Sequence, residues 1–159
     1  MRFGLVRGRT PVISDANRWL TRSVYSHANI VFDDGTVYEA EAEGFVKSAS
    51  LSVHNGGCQV DLLEYKVPLT EFEEAIARAQ CEAMLGELYD YQAILGFLER
   101  SNFSPPSSAR KLICSEADFL VSVALGLERV LLERIRPEEV APEHINISPL
   151  TKWVRTVMA

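Results

Sequence analysis

Asp33-Asp34-Gly35 separates two runs of strand-forming residues and restricts the fold of this chain more than any other short stretch. Ser26 to Phe32 and Thr36 to Tyr38 are rich in β-branched and aromatic residues, and Gly35 is free to take the positive φ that closes the turn. Tyr25 to Ala40 therefore reads as a β-hairpin. A three-residue loop pairs Phe32 with Thr36, which sets His27 opposite Glu41 with Glu39 and Glu43 as its diagonal neighbours. Val37, Glu39, Glu41 and Glu43 share one face by period-two alternation, and His27 lies on that face. A histidine beside a carboxylate on a rigid hairpin is two thirds of a nucleophile-activating triad. The best candidate for the nucleophile is Cys114.

The remaining elements are expected from local signals. Arg2 to Val6 is a short apolar strand. Ser14 and Asp15 start a helix that buries Ala16, Trp19 and Leu20. After the hairpin, Phe45 to Val53 alternates as a strand, Asn55-Gly56-Gly57 turns, and Cys58 to Val67 is the next strand. Thr70, with Glu71, Glu73 and Glu74 behind it, opens a helix that runs to Leu85 and stops at Gly86. Tyr91 to Leu98 marks a second helix, with Asp90 as its cap, and Ser101 to Ser108 is a loop. From Cys114 the chain enters its most apolar helix, with Ser115 and Asp118 in capping-box spacing and almost no polar face before Glu128. Ser148-Pro149 reads as the start of a last short helix through Trp153 to Val157.

A chain of 159 residues holds one domain with a real core, and nothing in it is long enough to be a linker, so residues 1–159 are read as a single domain. A net charge of −6 argues against broad binding to nucleic acid or to an anionic membrane. No apolar run is long enough to span a bilayer, and Met1 to Leu20 has no signal-peptide core. Cys58, Cys81 and Cys114 show no framework spacing, which fits a reducing compartment. The expected location is cytoplasmic, unless a phage particle or lysis delivers the protein.

Cys114 at a helix start gains thiolate character from the partial positive charge there. His27 beside it would lower the thiol further and protonate a leaving group, and Glu39 would hold the imidazole in the right tautomer. The N–H groups opening the helix are placed to bind an oxyanion. Each signal also has a plain structural explanation. A lone cysteine at a helix start is usually packing, a strand histidine is usually a satisfied surface residue, and alternating glutamates are usually a solvated sheet face. His54 and Cys58 flank a glycine turn but match no zinc pattern, His144 reads as a surface residue, and Trp19 and Trp153 read as core.

The stretch S-H-A-N-I-V-F-D-D-G-T-V-Y-E-A resembles the histidine hairpin of NlpC-type, papain-like cysteine peptidases. In that pattern the polar residue before the Ala orients the histidine, and Glu39 before Ala40 stands there. I-C-S-E-A-D-F-L-V follows the histidine instead of preceding it, an order similar to the circularly permuted, YiiX-like branch. Leu88-Tyr89-Asp90-Tyr91 and Ile147-Ser148-Pro149 also fit that branch. Asn29 stands where a glycine is common. The hairpin register favours Glu41 as the third member, and the resemblance favours Glu39. The resemblance implies an α+β fold, a small antiparallel sheet or open barrel packed on a central nucleophile helix. It implies a thiol hydrolase of amide bonds with Cys114, His27 and Glu39 as its triad. Its substrates would be peptidoglycan-type peptides or lipid-linked amides, with no cofactor and no metal. The alternatives are a thiol acyltransferase or thioesterase of the same fold, and a non-catalytic phage- or secretion-associated interaction module.

Overall fold

A computed structural model describes residues 1–8, 23–89, 111–126 and 140–159. The expected helix from Asp15 to Leu20, the helix from Tyr91 to Leu98, the loop from Ser101 to Ser108, Trp19 and Asp90 lie outside these residues. The elements are β1 (Arg2–Arg7), β2 (Tyr25–Val31), β3 (Val37–Glu41), β4 (Gly44–Ser48), α1 (Ser52–Asn55), β5 (Gln59–Tyr65), α2 (Glu71–Met84), β6 (Leu88–Tyr89), β7 (Lys111–Leu112), α3 (Cys114–Ala124), α4 (Pro142–Asn146) and β8 (Thr151–Met158). The fold class is α+β.

Six strands form an antiparallel sheet in the order β4-β3-β2-β1-β5-β8. β6 and β7 pair separately and in parallel. The β2–β3 hairpin has the register that its turn dictates: Val31 pairs with Val37, Ile30 with Tyr38 and Asn29 with Glu39. Gly35 sits at φ 88°, and Phe32 N–H donates to Thr36 O at 2.8 Å.

Alternation sorts each strand onto two faces. One carries Phe3, Leu5, Ile30 and Tyr38, and packs against Ala77 and Cys81 of α2 and Ala117 and Val121 of α3. Each large side chain buried there contributes about 1.5–3 kcal/mol. The other carries Val6, Val31, Val37, Val60 and Leu62 in a smaller cluster. His27, Asn29, Glu39 and Glu41 belong to this second face by parity. A β-bulge sets that parity. Val6 pairs with His27 but Arg7 pairs with Tyr25, so Ser26 is an extra residue in β2. Tyr25 thereby joins the cluster on the helical face.

α2 begins as expected. Thr70 Oγ1 accepts from Glu73 N–H, and Glu73 returns a carboxylate oxygen to Thr70 N–H at 2.8 Å. α3 begins differently. Ser115 is not its cap; Ile113 precedes the helix, and Glu116 accepts from Ile113 N–H at 3.3 Å. Ser115 instead donates to Val140 O, and Asp118 is buried one turn into the helix.

Three further expectations are corrected. The strand expected over Phe45 to Val53 ends at Ser48, and Ser52–Asn55 is a helical turn. The helix expected after Ser148 is the strand β8. Ser148 Oγ does accept from Leu150 N–H, but only a turn forms, and Thr151, Val154, Thr156 and Val157 suit pairing with β5. Trp153, expected in the core, is 60% exposed on that edge strand. Among the described residues no helix is long and apolar enough to cross a membrane.

Candidate active site

The sheet and α3 meet where β2 begins. α3 packs on β2 and β3, which brings its first residue, Cys114, against the His27–Ala28 segment. The Cys114 thiol lies beside the His27 ring, close enough for each to shift the other's ionisation. His27 Nε2 lies 3.1 Å from Glu39 Oε2 and 3.7 Å from Glu41 Oε1. Only the Glu39 contact is a hydrogen bond. With Nε2 donating to Glu39, Nδ1 is the ring nitrogen left for the sulfur. The three residues expected as a triad are thus brought together in the order Cys114, His27, Glu39.

The observed pairs end at Asn29 with Glu39; continued by two residues the register would set Glu41 across from His27, yet Glu39 makes the bond. Strand twist brings diagonal side chains close. Glu39 is 1% exposed and is held from a second side, because Asn55 Nδ2 donates to its Oε2 at 3.2 Å. Asn55 was not anticipated. Asn55-Gly56-Gly57 reads locally as a turn, and the bond spans 16 residues, so no local signal carries it.

The charges reinforce one another. Burial opposes ionisation of both partners. For His27 the Cys114 thiolate and then Glu39 outweigh that cost, and its pKa stands well above the ordinary value. For Cys114 the His27 cation outweighs burial, helped by N–H donors from Ala28 and Ser115, and the thiol is brought down. Burial raises Glu39 less than His27 and Asn55 lower it. Glu41 is pushed up, chiefly by burial, with Glu39 adding to the effect. Asp118, one turn beyond Cys114, is raised well above the ordinary carboxylate value by burial and then by the thiolate. Cys81 is pushed up strongly, first by burial.

Cys114 is itself only 2% exposed, and the His27 side chain is 15% exposed. His54 is exposed on α1 and Cys58 is buried, and they form no cluster. His144 is not a free surface residue; it lies in α4 and its Nδ1 accepts from Ala141 N–H at 2.9 Å.

The fold is similar to that of YiiX. The solved structure is described as the metalloprotein YiiX from Escherichia coli O157:H7, and the likeness covers 99% of this chain and 97% of that one, with a TM-score of 0.71 and 17% identity. No family model and no curated protein matches the sequence. Among the described residues, one group has metal-ligating atoms close enough to share an ion: His27, Glu39 and Glu41, all within 4.8 Å of one another.

Proposed function

We propose that the protein is a thiol hydrolase of amide bonds, built as a permuted papain-like domain. The observation that carries this reading is the unbroken contact from Cys114 through His27 to Glu39 at the start of α3. In the first half-reaction the Cys114 thiolate attacks the carbonyl carbon of the substrate. The carbonyl π electrons move to oxygen, and backbone N–H groups at the start of α3 bind the oxyanion. His27 gives its proton to the leaving amine, the C–N bond breaks, and a thioester remains on Cys114. In the second half-reaction His27 takes a proton from water, which attacks the thioester and restores the thiolate and imidazolium. Glu39 orients the ring and supports its positive charge throughout.

Peptidoglycan-type peptides and lipid-linked amides are the substrate classes to examine first. Glu39, Glu41 and Asn55 make the described surroundings of His27 polar, which supports water over a lipid alcohol as the acyl acceptor. One observation favours a second reading, a non-catalytic interaction module: Cys114 is almost fully covered. A screen of cell-wall peptides, acyl amides and thioesters, with Cys114→Ala as control, separates the two. Turnover that disappears in Cys114→Ala supports the hydrolase. Turnover equal in both proteins, or none in either, returns the protein to the binding class.

A further inference from the structure

Four side chains gather at the end of the β2–β3 ladder: Asn29 pairs with Glu39 across the strands, and His27, Glu39 and Glu41 bring their polar atoms within 4.8 Å of one another. The hydrolase reading uses two of them. Glu41 reaches toward the same ring nitrogen as Glu39, at 3.7 Å against 3.1 Å, although Nε2 has a single hydrogen to donate. Two carboxylates therefore converge on one donor. Glu39 Oε1 is buried and meets no donor among the described residues. Asn29, paired with Glu39 across the strands and 0% exposed, has among the described residues a partner for neither its Oδ1 nor its Nδ2. Unpaired polar atoms in so buried a place carry the full cost of their desolvation. Their concentration around one carboxylate points to a missing occupant.

We propose that His27 Nε2, Glu39 and Glu41 bind one divalent first-row cation, of which Zn²⁺ is the natural probe. Tetrahedral bonds of about 2.0–2.1 Å set ligand atoms roughly 3.3 Å apart, close to the two separations seen here. One nitrogen and two carboxylate oxygens make a donor set that zinc accepts, with a fourth position left for water. The outer shell is present as well. Asn55 donates to Glu39, and the far side of the imidazole is fixed by Cys114. Asn29 lies across from Glu39, with its Oδ1 toward Gly4 of β1, and adds a buried unpaired amide to the same surroundings. His27 and Glu41 are 15% and 28% exposed, so the ion has a path from solvent.

The cation would take the place of the proton that His27 Nε2 shares with Glu39. With zinc on Nε2, the Nδ1 proton is retained toward the sulfur and the ring cannot act as a base. The cation-bound form is then a silent form of the proposed hydrolase, reversed by chelation. The binding itself does not depend on that activity and is tested without it.

The experiment uses the Cys114→Ala protein, stripped with a chelator and titrated with ZnCl₂ in a calorimeter. One saturable site per chain is expected. Glu41→Gln in the same background should weaken it at least tenfold, and His27→Ala should abolish it, while both variants keep the parent circular-dichroism spectrum. Glu41 is partly exposed, so its amide variant leaves the packing intact. In protein that retains Cys114, zinc should slow alkylation of that cysteine, and Glu41→Gln should blunt the effect. Binding that is absent from Cys114→Ala, or that survives both Glu41→Gln and His27→Ala unchanged, overturns the proposal. Saturable binding with no hydrolysis of any substrate would leave the cation site standing and remove only the hydrolase.

Discussion

Replacing Glu39 with glutamine keeps an acceptor for His27 and removes its charge. Glu39 Oε2 takes hydrogen bonds from His27 at 3.1 Å and Asn55 at 3.2 Å, and the residue is 1% exposed, so water offers no substitute. Hydrogen bonds to charged groups are worth about 1.5–3 kcal/mol and neutral ones about 0.5–1.5. Glu39→Gln should therefore withdraw about 1–1.5 kcal/mol from the imidazolium, roughly tenfold in the thiolate–imidazolium population. Glu41 is beyond hydrogen-bond distance at 3.7 Å and 28% exposed, so Glu41→Gln should change that population by less than about threefold. The assay is the rate of Cys114 alkylation by iodoacetamide at about pH 6 in chelator-treated protein, read by mass spectrometry. Turnover should follow the same order once a substrate is in hand. A larger loss from Glu41→Gln than from Glu39→Gln would refute the diagonal assignment and give the role to the direct cross-strand neighbour.

Two stability predictions rest on the same sheet. A Cβ on Gly4 would lie 2.1 Å from Asn29 Oδ1, so Gly4→Ala must displace a buried amide beside Glu39; a loss of about 1–3 kcal/mol in urea denaturation is expected, and wild-type stability would contradict that packing. Burial raises the Asp61 carboxyl, but hydrogen bonds from Thr156 and Tyr25 and the Arg7 charge outweigh it and hold its folded pKa below the ordinary value. Its contribution is therefore present above the unfolded value of about 3.9 and lost as pH falls through the lower folded one. Asp61→Asn should destabilise the protein at pH 7 and lose its effect at about pH 2, and a gap that stays constant across that range would show that charge is not its source.

What was legible in the sequence was what local chemistry dictates. Asp33-Asp34-Gly35 sets the hairpin register, and that register places His27 among its glutamates. The Thr70–Glu73 box starts α2. The start of α3 was legible to within a residue, although its cap is Glu116 folding back on Ile113 and not Ser115. The failures are tertiary. Ser148-Pro149 forms the turn that its residues favour, but the chain after it gains more by pairing with β5 than by continuing as a helix. Asn55 reads as a turn residue, and only the fold carries it to Glu39. The bulge at Ser26 needs β1 as its partner and leaves no mark within β2 itself. The choice between Glu39 and Glu41 turns on strand twist, which alternation alone does not encode.

The central claim is that Cys114 is an activated nucleophile, and the three cysteines test it directly. Exposure ranks them Cys58 at 8%, Cys114 at 2% and Cys81 at 0%, so accessibility alone would make Cys58 the most reactive. Ionisation ranks Cys114 first, because His27 and the start of α3 bring its thiol below the ordinary thiol pKa of about 8.5. Mass-spectrometric labelling of each cysteine between about pH 6 and 8, in wild type and His27→Ala, separates the two orders. The account predicts that Cys114 is labelled fastest in wild type, that its lead is greatest at the acid end, and that His27→Ala removes most of it. Faster labelling of Cys58 than of Cys114 at every pH, with no change in His27→Ala, would contradict it.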